Sequence, residues 1–297
     1  MDAATTPSPA LIDLGRMLYY EPRLSKSGTI SCNSCHDLLR AGQDGKPRSP
    51  GHDGSLGGRN SPTTLDAAGH TAQFWDGRAA DVEVQAKGPV LNPVEMGMTD
   101  GAAVEAVLRG IPGYVDAFKA AFPGQTDPVT FDNFAVAVGA FERGLTTPSP
   151  WDAFLAGDKT ALTDGQKQGF QTFVSSGCTA CHSGTYVGGA TYQRLGLVNP
   201  WPDTTDEGRF QVTKVDADKM VFKVPSLRNV TKTGPYFHDG SVERLDDAIQ
   251  KMGHHQLGTT LKPEQVASIQ TWLVALEGPP DPVYVAKPAL PEGPAGR

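Results

Sequence analysis

All four cysteines of this chain sit in two copies of one short pattern. "SCNSCH" at 31–36 supplies Cys32, Cys35 and His36, and "GCTACH" at 177–182 supplies Cys178, Cys181 and His182. Three chemistries use cysteines this close together. A thioredoxin-like redox pair needs no histidine and sits in a βαβ setting that this sequence lacks. Structural zinc would take the thiolates and the imidazole, but would need a fourth ligand at each motif. Covalent c-type haem uses all three residues. The thiols form thioethers with the vinyl groups, and the imidazole supplies the proximal iron ligand. The seven histidines in 297 residues would follow both cysteine pairs by chance on the order of once in two thousand. The haem reading leaves no cysteine over for a disulfide.

Two haems alone make an electron carrier. The ligand on the far side of each iron decides what further chemistry is open to it. His52 lies in the glycine-rich "SPGHDGSLGGRN", and Met252 lies in "AIQKMGHHQLG". A lone histidine or methionine is more often structural, so residue type does not settle either position.

The elements around these motifs read as helices joined by long loops. Over 130–145, Phe131, Phe134, Val138, Phe141 and Leu145 share one helical face. Over 263–277, Val266, Ile269, Leu273 and Leu276 do the same, with Pro263 at the first helical position and Gly278-Pro279-Pro280 ending the run. Shorter helices are expected at 8–20, 99–109, 113–122, 163–175 and 243–252. Residues 40–65 and 183–235 read as long loops with a few short strands. The expected fold class is mainly α, and loops of that length in a helical chain point to enclosed cofactors. An amphipathic segment precedes each cysteine motif, at 11–20 and 165–174. This loose repeat, with "TTPSPWD" at 146–152 as a linker, divides the chain into halves at 1–147 and 148–297.

Composition sets outer limits. The net charge of −7 argues against nucleic acid as the main partner. No apolar run approaches the roughly 18 residues of a membrane span. The N-terminal "MDAATTPSPA" has neither the basic region nor the apolar stretch of a secretory leader. Either the protein stays in the cytoplasm or a leader has been removed. The proline-rich tail "EGPPDPVYVAKPALPEGPAGR" either packs extended across the surface or is disordered.

Taken in order, the motifs resemble those of the bacterial di-haem cytochrome c peroxidases over roughly residues 10–278. The resemblance rests on "PRLSKSGTISCNSCH", "GHDG", "RNSPTTLD", "FWDGRAADVEVQAKGPVLNPVEMGM", "GCTACH", "VPSLRNVTKTGPYFHDGSV" and "MGHHQLG". It implies two cytochrome c-like helical domains, each enclosing one covalently bound haem. It implies a periplasmic protein with its leader removed, commonly a homodimer. It implies reduction of hydrogen peroxide with electrons from a small c-type cytochrome or copper protein. Electrons would enter at haem 2, and peroxide would be cleaved at haem 1.

Residue by residue, the resemblance makes His36 the proximal ligand and His52 the removable distal ligand of a low-potential haem 1. His182 and Met252 become the ligands of a high-potential haem 2, in keeping with the rise in potential that a His/Met pair gives. Glu95 matches the distal acid, Gln85 a distal-pocket glutamine, and Trp75 the tryptophan between the haems. A calcium ion is implied between the domains, at the Asn60 side chain and the Thr233 and Pro235 carbonyls, an oxygen set suited to that ion.

The sequence departs from the family pattern at "MGHHQLG", where His254 and His255 could compete with Met252 for the haem 2 iron. His238 reads as structural or interfacial, and His70 as a surface residue. Other functions remain in view. A pure electron-transfer cytochrome would need neither Glu95, Gln85 nor a removable His52. A protein-oxidising enzyme like the methylamine dehydrogenase maturation enzyme, in the same broader group, has tyrosine at haem 2 and lacks the distal histidine. His52 and Met252 weigh against it. A zinc-binding interaction protein would fail a haem stain.

Overall fold

The computed structural model describes residues 6–293. The chain forms α1 (Pro9–Tyr19), α2 (Cys32–Cys35), α3 (Val82–Leu91), α4 (Gly101–Arg109), α5 (Pro112–Ala121), α6 (Phe131–Glu142), α7 (Pro150–Leu155), α8 (Asp164–Ser175), α9 (Phe210–Thr213), α10 (Leu245–Leu257) and α11 (Pro263–Leu273). Among the described residues the one sheet is an antiparallel pair, β1 (Tyr192–Arg194) and β2 (Val221–Lys223), with Tyr192 opposite Lys223. The chain is therefore mainly helical, with long loops and few strands. Among the described residues no helix is long and apolar enough to cross a membrane.

The helix starts follow local chemistry. Ser8 and Thr130 cap α1 and α6 by accepting backbone N–H bonds, and Pro9 and Pro263 begin α1 and α11 where a missing N–H does no harm. Two features differ from the sequence reading. α10 runs five residues beyond its expected end at residue 252, through Gly253, and stops at the left-handed Gly258. A side chain at 253 would meet Leu261 at 3.0 Å, so tertiary packing keeps this glycine helical. α3 is not expected from periodicity, because Gly88 and Pro89 interrupt it, yet Asp81 caps it and it packs on α6.

Two main cores result. One gathers Leu14, Leu18, Tyr114, Phe118, Phe134, Phe141 and their neighbours. The other gathers Trp151, Phe173, Val266, Ile269, Trp272 and Leu273. The repeat seen in the sequence has a packing counterpart. α1 crosses α6, and α8 crosses α11, each at a glycine pressed on a backbone carbonyl. A Cβ on Gly15 would lie 1.9 Å from the Ala137 oxygen, and one on Gly169 would lie 2.1 Å from the Ser268 oxygen.

The stretch read as a linker is a locked joint. Ser149 and Asp152 form the capping box of α7. Thr147 bonds the Asp66 carboxylate, and Asn229 donates to Thr147 at 2.8 Å. The buried Arg228 guanidinium donates to Asp152 at 2.9 Å and holds its carboxyl down at about 2. The proline-rich tail also has a place. Val285 joins the first core, Tyr20 donates to the Val285 carbonyl at 2.6 Å, and Arg23 donates to the Pro291 carbonyl at 2.9 Å. The described part of the tail, to residue 293, thus lies along the first half of the chain, although in sequence it follows the second.

Candidate functional site

Each cysteine motif opens into its own cavity. The single turn of α2 puts Cys32 and Cys35 three residues apart on one face. Both thiols, with His36, line a cavity of about 460 Å³. Cys178, Cys181 and His182 line another of about 270 Å³. A single water needs about 10–15 Å³ on this measure, so both cavities are cofactor-sized. Burial pushes the Cys32 and Cys35 thiols up, and Cys178 up to about 11. Burial thus favours the neutral thiol at these three positions.

The histidines are prepared for a metal. The Pro62 carbonyl lies 2.9 Å from His36 Nδ1, and a carbonyl can only accept. The proton is therefore on Nδ1, and the Nε2 lone pair is free for iron. Burial lowers the His36 pKa, which favours the neutral, ligating form. His182 repeats the arrangement more loosely, with Nδ1 3.4 Å from the Val187 carbonyl and burial taking its pKa down to about 4. The donor sets thus fit two covalent haems.

The first cavity also carries acid groups. Glu95 and Gln85 both line it. Asn92 Nδ2 donates to Glu95 Oε1 at 2.8 Å, which fixes the carboxyl. Burial raises the Glu95 pKa, while Arg78 and Asn92 pull it back. A carboxyl tuned between these effects can both give and take a proton. Glu142 of α6 lines the same cavity, and burial lifts it to about 8. The sequence reading missed it. Its signal was a lone acid in the apolar stripe of α6, one turn after Val138.

His52 stands apart from this group. It is not among the residues lining the cavity. A side chain at Gly97 would meet its ring at 2.4 Å, and its backbone N–H donates to the Glu95 carbonyl at 2.7 Å. The glycine-rich loop is a small closed hairpin, with Gly51 N–H on the Ser55 carbonyl and Gly57 N–H on the Ser49 carbonyl. It packs against the segment that bears Glu95.

The second cavity is apolar where the first is acidic. Met252 lines it from α10. His254 and His255 do not, because they fall on other faces of that helix. His254 is exposed, and His255 is buried with Nδ1 2.9 Å from the Asn199 carbonyl. His238 lines the cavity, is 3 % exposed, and stacks on Phe222. His70, expected at the surface, also lines it and has a buried Nε2.

The two cavities share a wall that includes Asn60, Pro62, Phe74 and Trp75. The turn bearing Trp75 is fixed tightly. Phe74 takes a left-handed conformation, Arg78 lies 3.5 Å over its ring, and a Cβ at Gly77 would meet the Tyr192 hydroxyl at 1.8 Å. Trp75 Nε1 donates to the Asn60 carbonyl at 2.9 Å. Asn60, Thr233 and Pro235 line the second cavity together, and Asn60 Nδ2 donates to the Lys46 carbonyl at 2.9 Å.

Known proteins resemble this chain in sequence and in fold. Residues 9–160 match the family model described as di-haem cytochrome c peroxidase. The chain is 49% identical over 272 residues to a cytochrome c551 peroxidase of Pseudomonas aeruginosa, covering 90% of this chain and 78% of that one. It is 45% identical over 278 residues to a cytochrome c551 peroxidase of Nitrosomonas europaea, covering 93% and 82%. Among solved structures it superposes on a MauG-like protein associated with microbial copper homeostasis with a TM-score of 0.84 at 28% identity, covering 95% of this chain and 93% of that one. The chain belongs to the di-haem cytochrome c peroxidase family.

Proposed function

We propose that this protein reduces hydrogen peroxide to water with electrons from a small periplasmic redox protein, a c-type cytochrome or a copper protein. The observation that carries this reading is the asymmetry of two joined cavities. Both have a cysteine pair and a prepared histidine, but only the first has buried carboxyl groups. An electron carrier has no task for Glu95 and Gln85.

The halves 1–147 and 148–297 are read as two cytochrome c-like domains, with the tail folded back on the first. Cys32, Cys35 and His36 would hold haem 1, and Cys178, Cys181, His182 and Met252 would hold haem 2. The haems supply iron that accepts and passes single electrons. Peroxide reduction consumes two electrons and two protons and yields two waters. Glu95 serves as general acid–base, moving a proton between the peroxide oxygens at the atom that Asn92 leaves free. Gln85, which lines the same cavity, orients the substrate. Trp75, in the shared wall, is the electron route between the cavities.

His52 remains the proposed removable ligand of haem 1. In the arrangement described it lies outside the cavity, so its hairpin must move for it to bind. Its backbone bond to the Glu95 segment means that such a movement disturbs the acid as well. Calcium at Asn60, Thr233 and Pro235 would brace the wall that holds Trp75. The working form is read as a homodimer.

The test is steady-state peroxide turnover with reduced cytochrome c, on protein whose two haems have been counted. Turnover that requires both haems supports the reading. Two attached haems with no turnover would overturn it in favour of electron carriage or oxidation of a protein substrate.

A further inference from the structure

The second cavity holds a charge that the ligand set leaves unexplained. Of the side chains lining it, Lys223 alone carries a full charge, and no aspartate or glutamate is among them. Lys223 is 9 % exposed and has no carboxylate partner among the described residues. Among the described residues its polar contact is His70 Nδ1, 3.3 Å from Nζ. A buried ammonium without an anion is costly, and a carboxylate brought into the cavity would offset that cost.

The surroundings fix that ammonium. Lys223 ends β2, and its backbone N–H donates to the Trp75 carbonyl at 2.8 Å. His70, from the other half of the chain, is held by the edge of the Tyr186 ring at 5.4 Å and by the backbone at Gly189, where a Cβ would meet it at 2.4 Å. The Nδ1 of a neutral imidazole accepts one ammonium N–H and leaves two for another acceptor. A haem joined through its vinyl groups keeps two propionate carboxylates free.

We propose that the Lys223 ammonium, positioned by His70, receives a propionate carboxylate of haem 2 beside Trp75, and that this pairing sets how firmly haem 2 holds an electron. The inference rests on the two-haem reading above. Its physical content is a sign. A paired carboxylate adds little negative charge near the iron, whereas an unpaired one in an apolar cavity favours the ferric state. Burial lowers the Lys223 pKa to about 8, which an arriving carboxylate would reverse.

The experiment measures haem content, both reduction potentials, and the propionate bending mode of haem 2 by resonance Raman on half-reduced protein. In Lys223→Met the ferric–ferrous equilibrium of haem 2 is expected to move about tenfold toward ferric, which is ~59 mV for one electron. Haem 1 moves less. Lys223→Arg restores the potential but shifts the propionate mode, because a guanidinium bonds a carboxylate differently. If Lys223→Met yields no di-haem protein, Lys223→Arg decides the matter through that mode. An unchanged mode in Lys223→Arg overturns the proposal, as does an unchanged haem 2 potential in a di-haem Lys223→Met protein. Equal shifts at both haems overturn it too, because they mark a general loosening. Fewer than two covalent haems in the unaltered protein would overturn the two-haem reading itself, and this inference with it.

Discussion

The first cavity is lined by Arg59, Asp76, Arg78, Glu95 and Glu142, whereas the second presents one charged side chain, Lys223. Both are lined by the same cysteine motif, and each half has a helix crossing made at a glycine. The cysteine motif is therefore common to the two halves, and on the reading proposed above the walls decide the chemistry. Acid groups beside a ligand site allow proton movement. An apolar wall with a methionine and a single cation suits storage of one electron. Trp75 lines both cavities, and on the proposed reading it links the two tasks.

The comparison breaks most sharply at Glu95. Glu95→Gln is expected to lower peroxide turnover by ~10²–10⁴-fold with both haems attached. Turnover within a factor of two of the unaltered protein would show that the acid wall does not define the first site.

Met252→Leu tests the other side. The sulfur–iron charge-transfer band of the ferric spectrum should vanish. Haem 2 should shift at least tenfold toward ferric, ~59 mV, so that the half-reduced form no longer accumulates. An unchanged spectrum would remove Met252 from the ligand set. His254 and His255 are poor substitutes, because their faces of α10 turn away from the cavity.

The shared architecture gives a more modest pair of effects. Gly15→Ala and Gly169→Ala each press a methyl group on a backbone carbonyl. Each should cost about 1–3 kcal/mol of stability, read as a lowered urea midpoint. If one substitution is tolerated freely, the two helix crossings are not equivalent.

The smallest effect concerns pH. Burial, helped by Glu83 and opposed by Arg143, lifts the Glu142 pKa from an ordinary 4.5 to about 8. The folded protein therefore keeps this proton between those values, where the unfolded chain has lost it. Glu142 then makes stability fall as pH rises across that window. Glu142→Gln should flatten that part of the profile in urea melts at pH 5, 7 and 9. A profile identical to that of the unaltered protein would mean that Glu142 is not held protonated.

Some of this was legible in residue types and spacing, and some was not. The cysteine motifs and the stripes of α6 and α11 are strong local patterns, and the helices follow them. α3 was hidden because Gly88-Pro89 breaks its periodicity, while the contact with α6 that holds it is distant in sequence. The 146–152 joint looks like a linker by composition. Its rigidity comes from Asp66 and Arg228, far away along the chain. Lys223 and His70 lie about 150 residues apart, and each reads as ordinary alone. Only the fold brings them together at the cavity.

The division of labour is tested most directly by mixing half-reduced protein with one equivalent of hydrogen peroxide in a stopped-flow spectrometer. The account predicts that the ferrous signal of the second haem disappears in step with peroxide consumption. A ferrous signal that persists after the peroxide is gone would contradict it.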